Sequence, residues 1–222
     1  MSYREGIEFE IMREQSNLGN SLTDAQIDTL VDTRLEEINK EEKAKFVSYW
    51  LKLVPKRFVS STFENFEIID QSVLPIIDHL KTGKSTILSG SNGSGKTHLA
   101  YASCLHQAKQ GIRVMFLLAF DFFSEVKESF NGGNPSEIVN KYAEYDYLVI
   151  DEADKAFGSQ NEFIYLYSLI NKRYDSMKST VLISNSDPAT LMGVVGKSTF
   201  DRIASEGKVI EMKFKNYRQK GR

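Results

Sequence analysis

The chain has 222 residues, of which 41% are apolar and 26% charged, and its formal net charge is −2. This length accommodates one α/β domain with a small appendage, and the apolar share excludes general disorder. Apolar runs are too short to span a membrane, and residues 1–10 lack the features of a signal peptide. The single cysteine, Cys104, excludes a disulfide framework and a cysteine-ligated zinc site. We therefore expect a cytoplasmic protein with no membrane partner.

Charge is distributed unevenly along the chain. Residues 1–54 contain 7 Lys or Arg against 11 Asp or Glu, whereas residues 207–222 contain 6 against 1. An acidic front and a basic tail indicate different partners at the two ends. Simple solvation of the terminal segments is the alternative explanation.

The first predicted elements are helical. After the cap candidates Ser21 and Thr23, five apolar residues fall on one helix face. They are Ile27, Leu30, Val31, Leu35 and Ile38. A second stretch repeats the pattern with Phe46, Val47, Trp50, Leu51 and Val54, and it stops at Pro55. We predict that residues 1–54 form a helical segment that packs on the next domain or meets a partner protein. Residues 55–66 then link it to the main domain, 55–222.

Strands and helices alternate after residue 84. Strands are predicted at 85–88, 113–118, 147–150, 180–184 and 208–212, and helices at 97–110, 120–130, 136–142, 162–176 and 198–204. Ser198 is the predicted cap of the last helix. Strand 113–118 is apolar throughout, which predicts burial on both faces. Such alternation predicts the α/β class, with a parallel sheet covered by helices on both faces.

The loop after the first strand matches the phosphate-binding motif G-x-x-x-x-G-K-[ST] in full. Its residues are Gly90, Ser91, Asn92, Gly93, Ser94, Gly95, Lys96 and Thr97, and His98 follows as a further nucleotide-binding candidate. The glycines let backbone N–H groups surround phosphate oxygens. Lys96 reaches the β- and γ-phosphates, and the Thr97 hydroxyl can ligate Mg²⁺. The sequence therefore predicts a P-loop NTPase with ATP and Mg²⁺ as cofactors.

Polar groups end the third and fourth predicted strands. Asp151 is placed to hold the Mg²⁺ shell, and Glu152 to orient and deprotonate the attacking water. One strand lies between these carboxylates and the P-loop, which indicates hydrolysis rather than phosphoryl transfer to a small acceptor. At the next strand end, Asn185 would face the γ-phosphate and help to position the water. A turn before Asp187 is the alternative role of Asn185.

With these motifs and the pair Asp201-Arg202 in this order, the chain resembles a AAA+ ATPase. More narrowly, it is similar to the helicase-loader family of bacteria and phages, DnaC and DnaI, and to the related IstB transposition ATPases. The similarity spans residues 55–218. Further matching pieces are 55–58, 62–66, 171–174 and 217–218.

The resemblance implies roles for further residues. Arg202 would be the arginine finger that enters a neighbouring subunit's ATP site, with Arg173 as the next candidate. Arg218 would be a second phosphate-sensing arginine. The insert 120–142 would line single-stranded DNA, and Ser159 falls where the family has a DNA-touching serine. The aromatic residue expected two positions later is Asn161 in this chain.

The resulting hypothesis is an ATP-dependent loader of a replicative helicase of the DnaB type. It would bind and hydrolyse ATP, assemble into an ATP-dependent oligomer and contact single-stranded DNA. The cysteine-ligated zinc module of DnaI-type loaders is missing from residues 1–54, because these residues contain no cysteine. The alternatives are an IstB-like transposition helper ATPase and a nucleotide-gated helicase adaptor that does not hydrolyse ATP.

Overall fold

The central sheet has five strands in the computed structural model, which describes residues 3–68, 70–155 and 160–213. The strands are β1 (Ser85–Gly90), β2 (Val114–Leu118), β3 (Tyr147–Asp151), β4 (Ser179–Ile183) and β5 (Gly207–Met212). Their order is β2-β3-β4-β1-β5, and every neighbouring pair is parallel. The α/β class with a parallel sheet is confirmed, so the carboxyl ends of all five strands meet at one edge.

Nine helices accompany the sheet in the described part of the chain. They are α1 (Tyr3–Asn17), α2 (Asp24–Leu53), α3 (Leu74–Lys81), α4 (Lys96–Lys109), α5 (Ala119–Ser129), α6 (Pro135–Ala143), α7 (Gln160–Asp175), α8 (Pro188–Val195) and α9 (Lys197–Ser205). The five helices predicted after residue 84 correspond to α4, α5, α6, α7 and α9 within two residues at each end. Across the described ranges, no helix has both the length and the apolar character to cross a bilayer.

Two apolar cores lie on opposite faces of the sheet. Successive strand residues point to opposite faces, so Leu88 belongs to the core shared with α2, α3 and α4. Its neighbour Ile87 belongs to the core shared with α5 to α9. The same alternation separates Val149 from Leu148. Helices therefore cover both faces of the central strands, as the continuous apolar character of β3 and β4 requires.

Strand β2 lies at an edge of the sheet, and its two faces pack into the two cores, as predicted. Val114 and Phe116 contribute to one core and Met115 and Leu117 to the other, whereas Leu118 at the strand end is 36% exposed. Helices α2, α4 and α5 pack around this edge.

Two predicted details are wrong. Helix α9 is preceded by Gly196 at its N-cap, and Ser198 lies inside the helix. Helix α1 lies in the segment 1–54 that is predicted to be helical, whereas α3 and α8 are absent from the predicted elements, because each has only eight residues, too few for a clear period.

The front segment contains one long helix where the apolar pattern suggests two stretches. Helix α2 has 30 residues and is about 45 Å long at 1.5 Å per residue. Thr23 starts it with a capping box to Gln26, and Ser21 does not cap it. Four of the five residues of the predicted apolar face pack on α1: Ile27 and Val31 are buried against Ile7, and Leu35 and Ile38 are partly buried beside them. The fifth, Leu30, is 38% exposed and lies off this face.

The second half of α2 packs on the sheet domain. Trp50 and Val54 are buried in the same core as Leu99 and Tyr101 of α4. The segment 55–66 also belongs to this core, because Phe63 and Phe66 are buried in it. Packing is therefore continuous across residues 54 and 55. The predicted boundary between a partner-binding segment, 1–54, and an ATPase domain, 55–222, stays a prediction about the functions of the two parts.

Candidate nucleotide-binding and hydrolysis site

The phosphate-binding loop joins β1 to α4 and depends on glycine backbone geometry. Gly93 and Gly95 have φ values of 79° and 94°, in the left-handed region that L side chains avoid. Gly90 has φ 134°, and a Cβ there would collide with the Met212 carbonyl of β5. The loop therefore fits closely under the end of β5 and leads directly into the first turn of α4, where backbone N–H groups and the helix field favour anions.

Lys96 lies in the first turn of α4 and is only 5% exposed. Its Nζ donates hydrogen bonds to the carbonyl oxygens of Gly90, at 2.7 Å, and Ser91, at 2.9 Å. A third, longer bond of 3.4 Å reaches the Ser94 hydroxyl. The loop therefore holds the ammonium beside the main chain that would surround a phosphate.

Thr97 and Asp151 connect the P-loop helix to the end of β3. The Thr97 hydroxyl donates a 2.9 Å hydrogen bond to Asp151 Oδ2, and Asp151 Oδ1 accepts from the N–H of Glu152 at 2.7 Å. Burial raises the pKa of the Asp151 carboxyl, and the Glu152 charge acts in the same direction, whereas the two hydrogen bonds oppose both. The Thr97 hydroxyl and the Asp151 carboxylate place two hard oxygen ligands side by side, and Mg²⁺ prefers such ligands. Because burial disfavours the charged form of this carboxylate, a cation at this position would stabilise it.

Glu152 follows directly and has an unusual backbone. Its φ is 57°, one of two positive φ values among non-glycine residues of the described chain. Positive φ in a non-glycine residue is found most often at functional sites and tight turns. The carboxylate forms a 2.7 Å ion pair with Lys155, three residues on, and both side chains are about half exposed. The strained turn directs Glu152 out of the strand toward the cavity that it lines.

The fourth strand brings Asn185 to the same edge. Its main-chain N–H donates a 3.1 Å hydrogen bond to Asp154 Oδ1, and the residue lines the cavity above the P-loop. The structure thus brings Lys96, Thr97, Asp151, Glu152 and Asn185 around one cavity, as the strand ends predict. Their chemical roles stay predictions.

The cavity has a volume of about 710 Å³. Besides the P-loop, it is lined by residues that the motifs do not reveal, namely Leu53, Pro55, Arg57, Phe58, Tyr101, Phe116 and Asp121. Tyr101 stacks on Phe58 at a centroid distance of 4.5 Å and on Phe116 at 4.0 Å. Tyr101 is only 6% exposed and stacked on both faces, so the partly buried rings of Phe58 and Phe116 supply the apolar surface next to the phosphate loop, which suits a nucleobase. The rings come from three separate parts of the chain, so no local pattern predicts this aromatic wall, and only Phe58 lies in a piece, 55–58, that the resemblance identifies.

His98 also lines the cavity, at its outer side. Its Nε2 lies 3.1 Å from the Thr62 carbonyl oxygen, and its ring packs edge-on against Phe66. These contacts tie the segment before β1 to α4. His98 therefore supports the cavity wall, and contact with nucleotide stays a prediction.

Arg202 lies far from the cavity of its own chain. It borders a separate cleft of about 350 Å³ at the amino ends of β1 and β4, whereas the P-loop follows the carboxyl end of β1. Its guanidinium donates to the Ser198 carbonyl oxygen at 3.1 Å, contacts the Ser198 hydroxyl and lies 5.0 Å from the Tyr167 ring centroid. Within one chain, Arg202 cannot reach the P-loop.

Arg173, the second finger candidate, is fully buried. It donates to Thr180 Oγ1 at 2.9 Å and to the carbonyl oxygens of Tyr145 and Ser179 at 2.5 Å each. Burial lowers its pKa to about 9, which still leaves it charged at neutral pH. Arg173 is therefore a structural residue that joins α7 to the starts of β3 and β4. It is unavailable to another subunit, and the suggestion that it could serve as a finger is wrong.

The remaining predicted residues are only partly covered. Arg218 and Ser159 lie outside the described residues, as does the side chain of Asn161. The predicted insert 120–142 forms α5 and α6, which pack on the sheet domain through Phe122 and Val139. At its ends, Phe120 is 68% exposed and Phe130 52% exposed.

A family profile described as IstB-like ATP binding protein matches residues 13–222. The replicative helicase loader DnaC of Buchnera aphidicola subsp. Baizongia pistaciae (strain Bp) is 28% identical over 157 residues, covering 66% of this chain and 64% of that protein. The replicative helicase loader DnaC of Escherichia coli (strain K12) is 31% identical over 121 residues, covering 54% and 49%. The match thus spans less than two thirds of the length of either relative.

Solved structures share the fold. A crystal structure of the DnaC helicase loader superposes with a TM-score of 0.63 at 23% identity, covering 72% of this chain and all of that one. The replication initiator DnaA bound to AMPPCP and single-stranded DNA gives a TM-score of 0.63 at 25% identity, covering 73% and 52%. These likenesses confirm the P-loop AAA+ architecture predicted from the motifs.

Proposed function

The chain belongs to the IstB-like ATP-binding family of AAA+ proteins, and from this premise we propose that it is an ATP-dependent loader of a replicative DNA helicase. The observation that most supports ATP hydrolysis is the 2.9 Å bond between Thr97 and Asp151, with Glu152 next in sequence. The loader role is supported by the similarity to proteins named DnaC.

ATP would bind with its phosphates in the P-loop and its base near Tyr101. Lys96 would exchange its carbonyl partners for phosphate oxygens, which are stronger acceptors because they are charged. Thr97 and Asp151 would hold Mg²⁺, which neutralises charge on the β- and γ-phosphates. Glu152 would take the proton of the attacking water, and the Asn185 amide would orient that water.

Arg202 would complete the site of a neighbouring subunit. It lies at the sheet edge opposite the P-loop, so it can serve only a second copy of the chain. A finger in trans couples hydrolysis to assembly, because each site is complete only within an oligomer. The contacts of Arg202 with Ser198 and Tyr167 involve partly exposed groups, which makes them easy to exchange for phosphate oxygens.

Single-stranded DNA and the helicase would use different surfaces. The inserted helices α5 and α6 would face the DNA, and Phe120 and Phe130 would offer exposed rings for base stacking. The helicase would bind the front segment, where Phe9 is 60% exposed and Leu18 70% exposed beside many acidic residues. An exposed apolar patch with a charged rim is typical of protein interfaces.

One alternative is favoured by a specific observation. The matching family profile carries the name IstB, so a transposition helper that partners a transposase is the second candidate. The two functions share the ATP site and differ in the protein partner.

The experiment combines the full chain with the replicative helicase of its host, ATP and single-stranded DNA. We expect co-elution with the helicase on size-exclusion chromatography and ATP-dependent transfer of the helicase to DNA. Phe9→Ser should weaken co-elution without changing ATP binding, and Leu74→Ser, at a partly exposed site of α3 that does not line the nucleotide cavity, is the matched control for the helicase contact. Absence of a complex with the helicase, together with stimulation of a transposase, would support the alternative.

A further inference from the structure

The turn after β3 contains a carboxylate, that of Asp154, to which the proposed reaction assigns no role. Asp154 is half-buried, and both of its oxygens accept hydrogen bonds from the segment that follows β4. Oδ1 accepts from the main-chain N–H of Asn185 at 3.1 Å, and Oδ2 accepts from the Ser186 hydroxyl at 3.2 Å. One side chain thus joins the ends of two neighbouring strands.

These strand ends carry the two groups assigned to the attacking water. Glu152 lies two residues before Asp154, and Asn185 is the direct partner of Asp154. A second bond fixes the same junction, because the Ala153 N–H donates to the Ile183 carbonyl oxygen at 3.0 Å. Asp154 is not among the residues that line the nucleotide cavity. It therefore acts on the position of other residues rather than on the nucleotide.

We propose that Asp154 is a positioning residue for hydrolysis, which sets Asn185 relative to Glu152 across the β3–β4 junction. This inference rests on the proposed function, since it presumes that Glu152 and Asn185 act on one water. Displacement of a positioning group by about 1 Å can cost on the order of 10²-fold in rate. A carboxylate with two fixed donors supplies the rigidity that such alignment needs.

The loop after β4, which contains Asn185 and Ser186, has a carboxylate of its own that serves as a matched control. Asp187 lies two residues after Asn185 and caps α8, where it accepts from the N–H groups of Ala189 and Thr190 at 3.0 Å each. Its hydrogen bonds stay within α8 and do not reach the β3 turn. Loss of Asp187 therefore tests general weakening of this loop, separately from the link to Glu152.

The experiment measures kcat, the ATP dissociation constant and Tm for the full chain under assembling conditions. Asp154→Ala should lower kcat by about ten- to a hundredfold, with little change in ATP affinity. Asp154→Asn should keep most of the activity, because its Oδ1 can accept from Asn185 and its Nδ2 can donate to the Ser186 hydroxyl. Asp154→Glu keeps the charge but displaces the carboxylate, so we expect a loss close to that of Asp154→Ala. Asp187→Ala should lower Tm and leave kcat unchanged.

A double-mutant cycle tests the path of the effect. If Asp154 acts through the Asn185 side chain, Asp154→Ala combined with Asn185→Ala should be no slower than Asn185→Ala alone. Additive losses would overturn the proposal, as would wild-type kcat in Asp154→Ala or equal losses in Asp154→Asn and Asp154→Ala. If Asp154→Ala does not fold, the comparison of kcat between Asp154→Asn and Asp154→Glu decides. A higher kcat for Asp154→Glu than for Asp154→Asn overturns the proposal.

The cycle also separates this inference from the proposed function. Slow turnover in Asn185→Ala with normal turnover in Asp154→Ala would remove only the role of Asp154. Normal turnover in Asn185→Ala would remove the role of Asn185 in hydrolysis, and the role of Asp154 with it. Absence of ATP hydrolysis in the wild-type assembly would overturn both.

Discussion

The Thr97 hydroxyl donates a 2.9 Å hydrogen bond to Asp151 Oδ2, across 54 positions of sequence. The two residues meet because β1 and β3 run parallel on either side of β4, so that the loops after them open at the same sheet edge. In parallel α/β sheets, ligands bind outside this edge. The bond therefore places the P-loop and the carboxylates in one site.

Glu152→Gln should retain ATP binding and lose turnover. Glutamine cannot take a proton from water, and general base catalysis typically contributes about 10²–10⁴-fold. Lys96 and Thr97 remain intact in this variant, so nucleotide affinity should stay near the wild-type value, whereas Lys96→Ala should weaken binding itself. Calorimetric titration with ATP and phosphate release under single-turnover conditions give the two quantities. Hydrolysis by Glu152→Gln at the wild-type rate would contradict the role of this carboxylate.

Asp151→Asn should stabilise the fold at neutral pH while it removes hydrolysis. The folded pKa of Asp151 is raised, mainly by burial, so the folded state binds its proton more tightly than the unfolded state does. Wild-type stability from this group therefore decreases as pH rises from the ordinary pKa of an aspartate through the raised value. Asparagine is neutral throughout; its Oδ1 can accept from the Glu152 N–H, and its Nδ2 can donate to the Thr97 hydroxyl oxygen.

The measurement is Tm as a function of pH without Mg²⁺. We expect Asp151→Asn to melt above the wild type at pH 7, with the difference shrinking as the pH falls and Asp151 becomes protonated. A lower Tm for the variant at pH 7 would show that the charged form is favoured in the fold.

Arg202→Ala should abolish DNA-stimulated ATP hydrolysis in the assembled protein and leave ATP affinity unchanged. Arginine fingers contribute about 10³–10⁵-fold to the rate in other NTPases, whereas an ordinary surface substitution changes stability by about 0.5 kcal/mol at most. Arg202→Ala keeps an intact P-loop, and Lys96→Ala keeps an intact finger. Mixing the two inactive variants on single-stranded DNA should restore part of the activity. Wild-type activity in Arg202→Ala alone would exclude the finger.

Arg173→Leu should lower the free energy of unfolding. It should not reproduce the loss of activity that removal of an arginine finger causes. The substitution leaves the buried Thr180 hydroxyl and the buried Tyr142 carbonyl oxygen without their donor, and each such group costs about 1–3 kcal/mol. Urea unfolding measures this loss. A mixture of Arg173→Leu and Lys96→Ala should have no more activity than the two variants have separately at the same concentrations, because Arg173 does not reach a second subunit. Cross-subunit rescue would contradict its structural role.

Trp50 fluorescence should change when ATP binds. Trp50 is the single tryptophan of the chain and is 2% exposed, and its ring lies 5.9 Å from that of Tyr101, which lines the nucleotide cavity. A ligand beside Tyr101 alters the surroundings of both rings. Emission should therefore shift or change in intensity with saturable dependence on ATP, and Lys96→Ala should show no change at the same concentrations. Constant emission at saturating ATP would place the nucleotide away from Tyr101.

The fold class and the phosphate loop follow from the amino-acid sequence alone. Residues 90–97 are contiguous, so their chemistry needs only local geometry: glycines that adopt positive φ, a lysine and a hydroxyl at the start of a helix. Strand and helix periods predict most elements after residue 84 for the same local reason. Asp151 and Glu152 follow from their place at a strand end.

The availability of the two arginines to another subunit depends on tertiary packing and could not be predicted from the sequence. Arg173 and Arg202 both lie in polar helical sequence, yet packing buries the first under carbonyl oxygens and leaves the second at a cleft. The order of the strands likewise made β2 an edge strand and placed Asp154 beside Asn185. Such contacts join residues that are far apart in sequence. They depend on which helices and strands become neighbours, and long-range packing determines this rather than any local sequence pattern.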